Sequence, residues 1–142
     1  MPDANAETAA VRPRRIEDLS VDDCLGLLAS ATLGRVALIH DDDPHVVPVN
    51  YLLHEGTVMF RTTYGTTLDT VSGGARVAFE VDHIDEPTQS GWSVIIHGKA
   101  EEIWLPDELD AAALLPITPW APGDRNHYVR IYPSAITGRR IT

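Results

Sequence analysis

The sequence predicts a mainly β protein, an antiparallel barrel accompanied by a few short α-helices. Three observations support this prediction: six or seven short strand-like runs recur along the chain, tight turns join most of them, and few helical segments lie between them. A doubly wound fold is disfavoured because it would need helices between most strands and a GxGxxG turn, which the sequence lacks.

The first half of the chain has clear signals for its elements. Ser20 begins a capping box that predicts a helix over residues 20–30. Turns are expected at residues 41–44 and 55–56, because Asp, Pro and Gly favour turn geometry. Pro48 lies inside a strand, so that strand should lie at an edge or contain a bulge. The strands predicted here cover residues 34–40, 45–53 and 57–62.

The second half alternates in the same way. Gly73 and Gly74 should end a short helix, and Pro106 followed by two acidic residues should begin another. Pro133 and Ser134 are expected to form a turn between the last two strands. We further predict a helix over residues 66–72, strands over 76–81, 92–104, 127–132 and 135–141, and loops over 83–90 and 116–126.

Length and composition indicate one globular domain. The 142 residues are 44% hydrophobic and 23% charged, which is ordinary for such a domain. We expect a flexible N-terminal tail over residues 1–19 and a single domain over 20–142. No apolar run approaches the roughly 20 residues that cross a membrane, and the N-terminus lacks a signal-peptide core. Cys24 is the single cysteine, so no intrachain disulfide can form and a cytoplasmic location is expected.

The charge balance disfavours nucleic acid as a partner. The formal net charge is −10, and no basic stripe could neutralise phosphates along a duplex. The histidines lack HxxxH spacing and the chain has no CxxC motif, so no metal site is predicted. No Ser-His-Asp arrangement can be defined from residue order, and the catalytic residues stay unknown.

Residues 61–67 have the composition of a phosphate-binding loop. Arg61 supplies positive charge, four threonines supply hydroxyls, and Gly65 allows backbone to approach a ligand. The helix that follows would direct its N-terminus at the anion. The alternative is an ordinary strand-to-helix junction in which Thr66 or Thr67 is the N-cap.

Other polar and aromatic residues suit a flat ligand. Asn50 could bond the edge of a ring and Tyr51 could stack on it, unless these are simply alternating strand residues. Trp92 could form the wall of a planar pocket and Ser93 could bond a ring atom, or Trp92 is a core aromatic at the barrel rim. Trp120 and Arg125 are the candidates of the proline-rich loop. They could cover a neighbouring subunit's pocket, or Trp120 could close the barrel end.

Six motifs in order carry a family resemblance: GRVALIH, PVNYLL, FRTTYGTTL, VAFEVD, GWSVIIHGKAEEI and RIYPSAITGRRI. Over residues 20–142 the chain resembles the pyridoxamine 5′-phosphate oxidase-like family. The resemblance implies a flavin-binding split β-barrel, antiparallel and Greek-key-like. It also implies a homodimer that holds two cofactors at its interface.

The resemblance also implies site residues. The phosphate and ribityl contacts would be Arg61, Thr62, Thr63, Thr66 and Thr67. The strand along the isoalloxazine would be Pro48, Val49 and Asn50, and Trp92 and Ser93 would reach the cofactor from another strand or from the partner subunit. Thr67 stands where relatives often have a lysine. The C-terminal signature of true pyridoxamine phosphate oxidases is not recognisable, so that specific reaction is disfavoured.

The functional expectation is an FMN-binding flavoprotein that acts as a flavin-dependent oxidoreductase on an unknown small molecule. One alternative is a reductase that uses the deazaflavin cofactor F420. Another is a non-catalytic protein that binds flavin, haem or another flat ligand. In each case the cofactor would carry the chemistry, and the protein would bind and orient it.

Overall fold

The computed structural model describes residues 13–142, and within them it has seven strands and three helices. The strands are β1 (Ile16–Asp18), β2 (Leu33–His40), β3 (Asp43–His54), β4 (Thr57–Thr62), β5 (Ala75–Asp85), β6 (Ser90–Glu102) and β7 (His127–Ile141). The helices are α1 (Val21–Ser30), α2 (Thr66–Val71) and α3 (Pro106–Ala113). None of the helices in this part of the chain is long and apolar enough to cross a membrane.

All seven strands belong to one antiparallel sheet in the order β1-β7-β4-β3-β2-β5-β6. β6 also pairs with β7, so the sheet closes into a ring of six strands with β1 added beside the end of β7. The predicted mainly β, split-barrel class is confirmed. The helix predicted at Ser20 is confirmed as well, because the Ser20 hydroxyl accepts a hydrogen bond from the Asp23 amide at 3.1 Å.

The core fills the ring and is covered at one end by α1. Val36, Phe79 and Ile96 come from three different strands and are fully buried, as strand alternation requires. Cys24 and Leu28 are the buried residues of α1. Burial raises the pKa of the Cys24 thiol, as expected for an inert core cysteine.

Pro48 lies where the sequence predicted an edge. Residues 43–50 pair with β2, and pairing of β3 with β4 begins only at Tyr51. In the described residues, the other side of this half of β3 therefore has no strand neighbour. A proline is tolerated there because its missing N–H breaks no ladder bond on a free edge. This free edge forms part of the candidate site.

Two loop predictions are wrong. The predicted loop over residues 83–90 is shorter, because β5 continues to Asp85 and pairs with β6 as far as Asp85 opposite Ser90. The added residues are mostly polar and gave no apolar alternation. The predicted turn at Pro133 and Ser134 does not exist, because β7 is one strand of 15 residues. Ser134 is an extra residue there, since His97 pairs with Ala135 and Gly98 pairs with Pro133.

The N-terminal prediction has a mixed outcome. Residues 1–12 of the predicted tail lie outside the described residues. Within the rest of that tail, Ile16–Asp18 form β1, where Ile16 pairs with Ile141. Three residues with one apolar side chain carry no strand signal of their own. Pairing with the end of β7 makes them a strand.

Candidate functional site

A small cavity opens at the free edge of β3, and we call it the edge cavity. Its volume is about 170 Å³. Its walls come from β3, the end of β4, the start of α2 and the loop that precedes β7. Six of the ten predicted cofactor residues line it: Pro48, Val49, Asn50, Arg61, Thr62 and Thr67. The remaining lining residues are Val47, Pro119, Ala121 and Arg125.

Arg61 holds the loop that precedes β7 against the barrel through hydrogen bonds. Its Nε donates a hydrogen bond to the carbonyl of Arg125 at 2.9 Å, and its Nη1 donates to the carbonyl of Ile117 at 3.2 Å. The guanidinium also lies 5.5 Å from the centre of the Tyr128 ring. Within residues 13–142, no carboxylate forms an ion pair with Arg61. Its positive charge is therefore not neutralised by an ion pair with any of these residues.

Arg125 lines the edge cavity of its own chain. Its Nε is buried and has no hydrogen-bond partner in the described part of the protein. Leaving a buried donor unsatisfied costs about 1–3 kcal/mol. The cavity lining contains two guanidinium groups and no carboxylate. An anion is the ligand class that these walls suit.

Asn50 holds the same loop at a third point. Its Oδ1 accepts a hydrogen bond from the backbone N–H of Trp120 at 2.8 Å, and its Nδ2 lies 3.4 Å from the carbonyl oxygen of Thr32. The Trp120 side chain is 71% exposed, so the interpretation that it closes the barrel end is wrong. The Asn50 amide positions the loop over the free edge of β3.

The four predicted threonines fall into two groups. Thr62 and Thr67 are buried and line the edge cavity, whereas Thr63 and Thr66 are exposed and lie outside its lining. The N-cap of α2 is Gly65, with φ of 153°, and no side chain caps the helix. The alternative in which Thr66 or Thr67 is the N-cap is therefore wrong. Two hydroxyl-bearing side chains remain as walls of the cavity.

Trp92 and Ser93 lie in a different cavity of about 790 Å³, which we call the hairpin cavity. The other walls are Ile16, Ile84, Glu86, Gln89, Ser90, Gly91, Arg139 and Ile141. Apolar side chains from four strands make most of its surface, and Trp92 is its one aromatic wall. Within one chain, the structure does not bring Trp92 and Ser93 together with the edge cavity.

The outer face of the sheet between these cavities carries a cluster of charges. Arg35 Nη1 lies 3.4 Å from a carboxylate oxygen of Glu80 and 3.4 Å from one of Asp82. Burial, followed by the neighbouring Asp82 carboxylate, raises the pKa of Glu80 to about 7. The groove around this cluster has a volume of about 470 Å³ and is completed by Ala37, Val46, Ala78, Ile95 and His97.

Strand register shows that this outer face connects the two cavities. Arg35 is paired with Pro48, a wall of the edge cavity, and Asp82 is paired with Ser93, a wall of the hairpin cavity. Directly opposed residues of antiparallel strands present their side chains on the same face. The charged groove therefore lies between the two cavities on one continuous surface.

A buried pair beside residues 61–67 was missed in the sequence. Nδ1 of His127 lies 2.7 Å from a carboxylate oxygen of Glu102, whose side chain is 4% exposed. The ring of Tyr64 lies 4.8 Å from the His127 ring, and His127 is paired with Thr62 across β4 and β7. His127 and Glu102 are 25 positions apart on different strands. Sequence spacing gives no signal for them, because their contact depends on sheet register.

Comparisons with known proteins identify the family of this chain. A family model described as pyridoxamine 5′-phosphate oxidase matches residues 20–140. An uncharacterised protein of Mycobacterium tuberculosis is 32% identical over 133 residues, which cover 90% of this chain and 87% of that protein.

Two solved structures resemble the whole domain. A Corynebacterium glutamicum protein provisionally assigned as a pyridoxamine 5′-phosphate oxidase is 31% identical with a TM-score of 0.78, and the match covers 93% of this chain and 98% of that one. The FAD-binding protein of Mycobacterium smegmatis is 33% identical with a TM-score of 0.66, over 89% of this chain and 98% of that one. The chain belongs to the pyridoxamine 5′-phosphate oxidase-like family.

Proposed function

We propose that the protein binds FMN, with the phosphate end of the cofactor in the edge cavity. The observation that carries this proposal is the convergence of Arg61, Arg125, Thr62 and Thr67 on one cavity whose walls contain no carboxylate. Guanidinium groups and hydroxyls are the donors that proteins use for phosphate. The FAD-binding activity of the Mycobacterium smegmatis relative supports a flavin in particular.

The free edge of β3 supports the orientation of the flavin ring. Residues 47–50 line the cavity, and strand edges expose backbone N–H and C=O groups. These groups can bond the polar edge of a flat ring, while Pro48 and Val49 offer apolar surface. When bound, the flavin supplies hydride transfer, and the protein contributes binding and orientation. We assign no side chain as a general acid or base.

We further propose that the complete site needs a second copy of the chain. The edge cavity, at about 170 Å³, is smaller than the roughly 300–1,000 Å³ of typical ligand pockets, so one chain encloses only part of a flavin. The hairpin cavity is larger and has Trp92 as a wall for a planar ring. A twofold axis through the outer face would bring the edge cavity of one copy toward the hairpin cavity of the other.

The proposed activity is that of a flavin-dependent oxidoreductase acting on a small molecule. The same anion chemistry also suits FAD and F420, because both carry phosphate. A visible absorption spectrum of the freshly purified protein, followed by competitive titration with FMN, FAD and F420, identifies the cofactor. We expect flavin absorption near that of FMN and preferential FMN binding. Preference for F420, or no binding of any of the three, would contradict the FMN proposal.

A further inference from the structure

We infer that Arg125 is the principal anion-binding residue of the edge cavity, and that Arg61 mainly holds Arg125 in position. This inference rests on the proposed flavin site and deepens it. It assigns ligand binding and loop positioning to two different arginines, both of which line the cavity. The ligand group that Arg125 would bind is a terminal phosphate, such as the phosphomonoester of FMN.

The hydrogen bonds of Arg61 are directed at the loop. Its Nε and Nη1 donate to the carbonyls of Arg125 and Ile117, at 2.9 and 3.2 Å. Its guanidinium also packs over Tyr128. Turning this side chain fully toward an anion would release both carbonyls. Arg61 therefore uses Nε and Nη1 to hold the loop before any ligand binds. Its remaining N–H groups stay available to an anion.

Arg125 is in the opposite situation. Its backbone carbonyl is held by Arg61, but its own Nε is buried with no partner in the described residues. A buried guanidinium donor needs an acceptor, and the cavity walls provide no carboxylate. A phosphate in the cavity would accept charge-assisted hydrogen bonds from the Arg125 guanidinium. The unsatisfied donor and the carboxylate-free walls together point to Arg125 as the residue that contacts the anion.

The loop that carries Arg125 is fixed at three points. Arg61 holds Ile117 and Arg125, and the side-chain oxygen of Asn50 holds Trp120. These anchors come from β3 and β4, which also form walls of the cavity. A phosphate bound to Arg125 would add a further contact to this loop. A bound phosphate should reduce proteolysis within residues 114–126.

The test compares FMN with riboflavin, which lacks the phosphate. Dissociation constants for both ligands are measured by flavin fluorescence for the wild type, Arg125→Gln and Arg125→Lys. The control is Arg76→Gln, because Arg76 is bonded to Ser134 and is not among the cavity walls. Arg125→Gln should weaken FMN binding by about 10- to 100-fold, as expected for loss of a charged hydrogen bond. Riboflavin binding should change by less than about threefold, and Arg125→Lys should recover part of the FMN affinity.

A parallel experiment separates this inference from the flavin proposal. Inorganic pyrophosphate should protect the wild-type loop from limited proteolysis and should not protect Arg125→Gln. Arg61→Gln should also weaken FMN more than riboflavin, because it releases the loop that positions Arg125. Unlike Arg125→Gln, it should increase proteolysis of residues 114–126 even without a ligand, because the two carbonyl contacts are lost. Unchanged FMN affinity in Arg125→Gln would overturn the inference. Equal losses of FMN affinity and riboflavin affinity in that same variant would also overturn it. If the wild type binds no flavin but pyrophosphate protection depends on Arg125, the flavin proposal fails and the anion site stands.

Discussion

At the level of single residues, the edge cavity concentrates positive charge in an acidic protein. The whole chain has a net charge of −10, yet Arg61 and Arg125 line this cavity and none of its lining residues is acidic. Ligand choice depends on the local field at a site, and net charge mainly affects solubility and association. An anionic ligand is therefore compatible with the acidic composition. The same composition disfavours extended contact with nucleic acid.

Glu80 should make stability depend on pH. Its pKa is raised from 4.5 to about 7, so between these values the folded protein binds more protons than the unfolded chain. This contribution is present below pH 4.5 and is lost as pH rises through about 7. Urea unfolding of Glu80→Gln should therefore show a smaller loss of stability between pH 5 and 7.5 than the wild type. Glu101→Gln serves as the control, because Glu101 is paired with Lys99 and lies outside the charged groove, and it should keep the wild-type slope.

The groups around Glu80 set the conditions of this test. Arg35 on β2 and Asp82 on β5 contact it, and His97 on β6 lines the same groove. Arg35 favours the charged form of Glu80, whereas burial and Asp82 favour the neutral form. An identical pH slope in Glu80→Gln and the wild type would contradict a raised pKa at this residue.

At the level of elements, the packing of α1 on the barrel depends on a glycine in β7. A Cβ added at Gly138 would lie 2.6 Å from Cys24 Sγ and 3.1 Å from the carbonyl oxygen of Ser93. Gly138→Ala should lower the free energy of unfolding by about 1–3 kcal/mol, because it overpacks this contact. Urea denaturation at fixed pH measures the change.

A matched alanine substitution provides the control for Gly138. Gly26 lies in α1 with no atom within 4 Å of an added Cβ, so Gly26→Ala should be neutral or stabilising by up to about 1 kcal/mol. Adding Cys24→Ala to Gly138→Ala should recover part of the loss. Equal stability of the two single variants would show that α1 does not pack closely on Gly138.

The sequence predicted correctly those features that depend on residues adjacent in the chain. Ser20 caps α1 through its own side chain, and Pro48 lies on a free edge as its missing N–H requires. The failures depend on neighbouring strands. Pro133 and Ser134 have turn composition, but β6 continues beside them and accommodates Ser134 as a bulge. β1 exists because the end of β7 offers a partner.

In the candidate site too, residues close in sequence were predicted, whereas residues brought together by the fold were not. The residues that follow one another on β3, and those at the end of β4, were predicted together and lie together. Arg125 required knowledge of how the loop returns to its own chain. The pair of His127 and Glu102 required the register of β7 with β6 and β4. Long-range register is not encoded in residue spacing, so these groups could not be placed from sequence.

At the level of the whole molecule, the outer face should be the surface that joins two copies. It carries Ile95 and Val46 as partly or fully exposed apolar residues around the charged cluster, and it lies between the two cavities. Ile95→Arg should shift the protein from dimer to monomer in analytical ultracentrifugation, because it buries a charge in the interface. It should also weaken FMN binding, because each site then loses the second copy's hairpin cavity.

The control for this prediction is a substitution far from the face. Leu114 is 87% exposed at the end of α3 and lines none of the described cavities, so Leu114→Arg should remain dimeric with unchanged FMN affinity. A wild-type protein that is monomeric and still binds FMN fully would contradict the shared site. An Ile95→Arg variant that remains dimeric would place the interface elsewhere.

If the edge cavity is a flavin phosphate site, FMN titration of the wild-type protein should show it. We expect saturable quenching of flavin fluorescence with one FMN per chain and clearly weaker binding of riboflavin. Binding of FMN and riboflavin with equal affinity would contradict the phosphate role of the cavity. Absence of saturable FMN binding would contradict the proposed flavin site.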